Sequence, residues 1–194
     1  MLKDKIYRFI LNQNINMDYD VFAYGYYVVM TYCLYLSVII PISIIHHTFF
    51  ETVLFIMVFV SLRQYLGGIH FNSSFVCFIV SIIVAIIIPL ISSKIGNVTI
   101  YVRLLIIVIS FLCVNLVGPV DNINKRLSIK EKNYFLIKAN KILSIYLIYE
   151  IFLYSIFLIE YGNTILFTIF VMNISLILPV IFDYFKIKLN KDRN

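Results

Sequence analysis

Residues 75–91 read Phe75-Val-Cys-Phe-Ile-Val-Ser-Ile-Ile-Val-Ala-Ile-Ile-Ile-Pro-Leu-Ile91, without a single charge. The run is continuous rather than alternating. It therefore reads as a helix solvated by lipid, not as a barrel strand. Five runs of the same character lie around it, at 21–45, 48–66, 100–117, 142–160 and 164–182. Each is close to the roughly 20 residues that a helix needs to cross the hydrocarbon. Of the 194 residues, 62% are hydrophobic and 13% charged, with a mean hydropathy of +0.96. That is too little polar surface for a water-soluble domain of this length. The expected fold is an all-α integral membrane protein with six transmembrane helices, one polytopic domain over 1–194, and the lipid bilayer as its surroundings. The run at 21–45 is too long for the apolar core of a cleaved signal peptide, so it is expected to remain as a span.

The basic residues set the orientation. With both termini cytoplasmic, fourteen of the sixteen Lys and Arg fall on the inside, and only Lys94 and Arg103 fall toward the outside. This follows the positive-inside rule, and it accounts for the net charge of +6 without a nucleic-acid partner. The segment 1–20 is then cytoplasmic. Its opening places Leu2, Ile6, Phe9 and Ile10 on one helical face, which reads equally as an interfacial helix or a frayed tail. The segment 183–194 is a basic cytoplasmic tail. Residues 118–141 read as a turn-rich inner loop, with Lys125, Arg126, Lys130 and Lys132 either as the topology signal or as a landing site for an acidic peptide.

Few side chains carry chemistry. Glu150 stands alone in the fifth run, where an ionised carboxylate costs roughly 3 kcal/mol or more. Counting from the helix ends pairs it with Asn173; a proton path is the functional alternative. His46 and His47 fall in the first outer turn. Cys33 and Cys113 lie inside apolar runs and read as small buried hydrophobes. The three cysteines show no metal-ligand spacing.

The exception is residues 63–77, Arg63-Gln-Tyr-Leu-Gly-Gly-Ile-His-Phe-Asn-Ser-Ser-Phe-Val-Cys77. A histidine and a thiol are what a nucleophilic cysteine enzyme needs: the imidazole takes the proton and the thiolate attacks a carbonyl. In one continuous helix His70 and Cys77 would stand about 10 Å apart along the axis, too far for proton transfer. A dyad therefore requires a break between them. Gly67 and Gly68 loosen the chain, and Asn72, Ser73 and Ser74 are N-cap candidates for a helix that carries Cys77 near its first turn. Such a helix start, like a neighbouring imidazolium, favours thiolate over thiol. Arg63 reads either as a ligand for a substrate carboxylate or as a snorkelling anchor.

The pattern Arg63-x4-Gly68-x-His70-x6-Cys77 resembles the signature of the accessory gene regulator B (AgrB-type) family, membrane peptidases that process quorum-sensing propeptides. The resemblance extends to the length, the six spans, the inside termini and the turn Pro119-Val120-Asp121-x-x-Asn124-Lys125. It implies that His70 and Cys77 are the catalytic pair, with Arg63 and Gly68 needed for activity and Gly67 supporting them. It implies a cysteine endopeptidase in the cell membrane, with its active site toward the cytoplasm. The substrate would be an AgrD-like precursor signalling peptide with an acidic tail, cleaved through a thioester on Cys77 and cyclised to a thiolactone or lactone. It also implies a homodimer, and it calls for no metal or cofactor. The competing reading is a membrane transporter or scaffold for peptide export, with Glu150 and the polar turns lining a pathway.

Overall fold

The computed structural model describes residues 2–13, 17–69, 73–120 and 127–191. Among the described residues there are seven helices and no strand: α1 (Leu2–Asn12), α2 (Tyr19–Ile45), α3 (Phe49–Leu66), α4 (Ser74–Lys94), α5 (Ile100–Val117), α6 (Ile129–Ser155) and α7 (Ile159–Lys191). Five of them, α2, α3, α4, α5 and α7, are long and apolar enough to cross a membrane. The opening segment does form a helix. Tyr7 on α1 donates to the Met17 carbonyl at 3.0 Å and packs its ring on Tyr19 and Phe22, while Phe9 remains exposed.

The bundle is built around α7, which packs against α3, α4, α5 and α6. Its buried residues Ile165, Ile169, Met172 and Leu176 meet a stripe on α3, Leu54, Val58, Leu62 and Leu66, and a third on α6, Ala139, Leu143 and Leu147. These spacings of three and four residues put each set on one helical face. Phe55, on another face of α3, packs with Ile39 of α2 and Ala85 of α4. Outward faces are apolar too: Tyr101, Leu105 and Leu116 of α5 are largely exposed. Lipid is as apolar as leucine, so close packing and interhelical hydrogen bonds must select which faces meet. Ser92 on α4 and Thr164 on α7 share such a bond at 2.7 Å, and Asn173 on α7 donates to Ser110 on α5 at 2.8 Å.

Three expectations change here. The inner loop expected over 118–141 is helical from Ile129, because Ser128 and Glu131 form a capping box: each side chain accepts from the other residue's backbone N–H. The fifth run, expected at 142–160, instead ends at Ser155, and the turn to α7 comes at Ile156–Leu158. Its apolar part is thus shorter than expected and follows a polar, basic first half on the same helix. Cys33 is not buried but exposed on α2, and Cys113 is half-buried.

The earlier turn also moves the partner of Glu150. Glu150 lies five residues before the end of α6 and Asn163 four residues into α7, so these two are level. Asn173 is a further ten residues along, about 15 Å deeper. Glu150 pairs instead with Arg103, and both side chains are 1% exposed. Arg103 also donates to Asn163 Oδ1, gives its Nε–H to the Val98 carbonyl at 3.1 Å, and lies over the Tyr154 ring. Asn163 in turn donates to the carbonyls of Ile95 and Gly96, both at 3.1 Å. Arg103 therefore faces the protein interior, and its charge is neutralised there.

Removing one partner of a buried ion pair costs about 3–5 kcal/mol, because it strands the other charge, whereas replacing both with apolar groups is often close to neutral. Arg103→Met is therefore expected to lower the melting temperature in detergent sharply, and Arg103→Met with Glu150→Leu to recover much of it. Thermal unfolding of these two variants, of Glu150→Leu alone and of the parent checks this; a double variant as unstable as the sum of both single losses would refute it.

Candidate active site

The helix is interrupted where the His/Cys reading requires it. α3 ends at Leu66, the described residues 67–69 and 73 are non-helical, and α4 begins at Ser74. Gly67 caps α3 with a φ of 73° and Gly68 follows at 143°, both in the region that only glycine enters without strain. Close contacts add a second reason for glycine. A Cβ on Gly67 would stand 3.0 Å from the Val120 carbonyl oxygen, and one on Gly68 would stand 2.8 Å from Ser175 Oγ. The turn is thus pressed between the segment after α5 and the side of α7.

Of the three cap candidates, Ser73 is the N-cap of α4, with an extended backbone and no side-chain hydrogen bond to the helix. Cys77 follows one turn later. Its backbone N–H makes the first helical bond, to the Ser73 carbonyl at 3.1 Å, and its own carbonyl accepts from Ser81 Oγ at 2.8 Å. The N–H groups before it have no partner within the helix, so the positive end of α4 lies beside the thiol. Cys77 is half-buried. His70 and Asn72 lie outside the described residues, as do Lys125 and Arg126.

Arg63 is half-buried and is engaged within the protein. Its Nη2 donates to the Ile69 carbonyl at 2.9 Å, and its guanidinium lies 5.3 Å from the Phe59 ring centre. It therefore ties the last turn of α3 to the residue that leads into His70. On the other flank, the Val120 N–H donates to the Leu66 carbonyl at 3.0 Å. The first half of α6 belongs to the same end of the bundle, with Phe135 against Tyr65 at 6.1 Å. Lys130 is exposed and Lys132 half-buried on the opening turn of that helix.

Sequence reading passed over Ser175, since a single serine in an apolar run carries no signal of what it touches. It also passed over the Ser128-x-x-Glu131 cap, which was there to be read. Among the described residues, no three of His, Cys, Asp and Glu come together as a metal site. At the opposite end, Lys94, Asn97, Phe157 and Glu160 border a cleft of about 580 Å³ between the α4–α5 loop and the α6–α7 turn. It includes none of the residues around Cys77.

Comparison with known proteins gives a consistent result. The family model for accessory gene regulator B matches residues 3–181. Accessory gene regulator protein B of Staphylococcus epidermidis is 33% identical over 146 residues, covering 75% of this chain and 72% of that protein. An AgrB-like protein of Clostridium perfringens is 29% identical over 139 residues, which cover 68% of this chain but 65% of the relative. The chain thus spans a little under two thirds of that relative's length. No solved structure matches significantly.

A hydrogen bond to a charged group contributes about 1.5–3 kcal/mol. Loss of the Arg63–Ile69 bond in Arg63→Ala should therefore speed amide exchange in residues 67–73 by about tenfold or more, with the middle of α3 still protected. Hydrogen exchange read by mass spectrometry would show it. Unchanged protection of the turn would mean that Arg63 does not hold it.

Proposed function

The chain belongs to the accessory gene regulator B family, and from that premise we propose that it is a membrane cysteine endopeptidase that trims and cyclises a quorum-sensing precursor peptide. Family membership and five membrane-length apolar helices make it a multi-pass membrane protein with a role in accessory gene regulator quorum sensing. The observation that carries the finer reading is that α3 ends at Leu66 and α4 begins only at Ser74, just before Cys77.

In this reading His70 takes the thiol proton of Cys77, and the thiolate attacks the carbonyl carbon that precedes the acidic tail of the AgrD-like precursor. The C–N bond breaks, the tail amine takes the proton from the imidazolium, and a thioester to Cys77 remains. A Cys or Ser of the bound peptide then attacks the thioester. Its proton passes to His70, the Cys77 thiolate departs, and the ring closes. Tethering gives this nucleophile an advantage over water, and an apolar setting keeps water from the thioester. Arg63, Gly67 and Gly68 hold the turn that precedes His70. Lys125, Arg126, Lys130 and Lys132 attract the acidic tail.

A sixth crossing by α6 and cytoplasmic termini complete the topology. At about 1.5 Å per residue, the 27 residues of α6 extend about 40 Å. Its start packs on the end of α3 and its last turns reach Arg103 at the other end, the same span that its neighbours cover. With Glu150 neutralised, the remaining charges of α6 lie in its first half. The positive-inside rule then turns the Cys77 end to the cytoplasm. Pairing of two copies is carried over from the family resemblance.

Cys77→Ala and Cys77→Ser should each abolish release of the tail at normal membrane abundance, because a hydroxyl stays protonated where a thiol can ionise. Co-expression with the precursor, read by mass spectrometry for the freed tail and the dehydrated ring, is the test; full processing by Cys77→Ser would sink the mechanism. For orientation, a cysteine introduced at Lys130 in a chain lacking the native cysteines should be labelled by an impermeant maleimide only after the cells are opened. Efficient labelling of intact cells would invert the topology.

A further inference from the structure

The Gly67–Gly68 turn is held by more than its own conformation. Its close neighbours come from elsewhere in the chain: Val120, just after α5, and Ser175, well along α7. Ser175 is 8% exposed, and its hydroxyl donates to the Met172 carbonyl of its own helix at 3.1 Å. The hydroxyl proton is thus already committed, and among the described residues no hydrogen bond joins Ser175 to Gly68, so their contact is one of shape. Its Cβ and carbonyl oxygen lie at 3.6 Å from the place where a Gly68 Cβ would be, an ordinary contact distance; only Oγ, at 2.8 Å, closes the space. Val120 grips the turn twice, by its N–H on the Leu66 carbonyl and by its carbonyl oxygen 3.0 Å from a Gly67 Cβ. Two residues beyond Gly68 comes His70.

We propose that Ser175 and Val120 are positioning residues: they form the seat on which the Gly67–Gly68 turn rests, and through that turn, which leads along the chain into His70, they govern the reactivity of Cys77. The inference rests on the dyad reading above. A small residue on α7 sets the depth of the seat and the Val120 backbone closes its side. Arg63 fastens the outgoing strand of the turn through Ile69. Since α7 packs against α3, α4, α5 and α6, its register fixes the height of the turn. A displacement of about 1 Å at a reacting pair can cost about a hundredfold in rate, so bulk added at Ser175 should act on chemistry without touching either member of the dyad.

The test uses the full chain in detergent with Cys33 and Cys113 replaced by alanine, so that only Cys77 alkylates. The pH profile of that alkylation reports the influence of His70 on the thiol, which a purely structural role would leave unmoved. His70→Ala sets the reference shift. Ser175→Val should move the profile toward that reference and slow processing by about a hundredfold, whereas Ser175→Ala, still small, should keep the parental profile. A Ser175→Val profile like the parent's, with His70→Ala shifted, overturns the seat and leaves the dyad standing. A His70→Ala profile like the parent's overturns the dyad itself, and the inference with it. Should Ser175→Val fail to accumulate, Gly68→Ala decides. Its loss of processing should be relieved by about tenfold in a Ser175→Ala background, because the 2.8 Å contact is gone and only the backbone strain remains. Equal loss in both backgrounds overturns the proposal.

Discussion

A buried guanidinium has nowhere to go in a membrane except onto another part of the protein, and Arg103 organises one end of the bundle for that reason. It binds Glu150 on α6, Asn163 on α7 and the carbonyl of Val98 ahead of its own helix, and it is covered by the Tyr154 ring. Asn163 carries the network on to the α4–α5 loop. One charge thus aligns three helices and a loop at a single height. Apolar packing alone could not do this, because lipid competes equally for leucine and isoleucine faces. The network specifies where α7 sits, and the other contacts of α7, with Ser92 and Ser110, repeat the alignment farther along the helix.

The far end of the bundle inherits that alignment. Ser175 on α7 bears on Gly68, and the segment after α5 bears on Gly67, so the turn leading to His70 rests on two elements distant in sequence. Cys77 thus stands at a helix start, and the glycine turn that precedes it in the chain is braced by α3, α7 and the segment after α5.

Much of this is legible in the chain itself. The apolar runs announce their helices because each is longer than a buried soluble helix needs, and Gly67-Gly68 followed by Ser73 announces a break. What misleads is the end of the fifth run. Residues 142–160 are almost uniformly apolar, and a tight turn at Ile156–Leu158 contains no Gly, Pro or Asn to mark it. Phe157 enters the left-handed region there with a φ of 63°, which composition does not foretell. Missing that turn moves the expected partner of Glu150 to Asn173, when the residue level with it is Asn163. It also hides the plainest clue, a lone arginine in one apolar run and a lone glutamate in another, each of which needs a partner at membrane depth.

The amino-acid sequence by itself determined the class of fold, the existence of the helices and the candidate dyad, because hydrophobic length, charge asymmetry and the Gly-His-Cys spacing are local properties of the chain. The tertiary structure alone decided that Arg103 turns inward to Glu150, that Arg63 binds the Ile69 carbonyl, and that Ser175 and Val120 bear on the two glycines. Each of these joins residues whose separation along the chain says nothing of their distance in space, and in lipid every apolar face is an equally acceptable outer surface. Which faces meet is settled only when polar groups find their partners and small residues allow backbones to close.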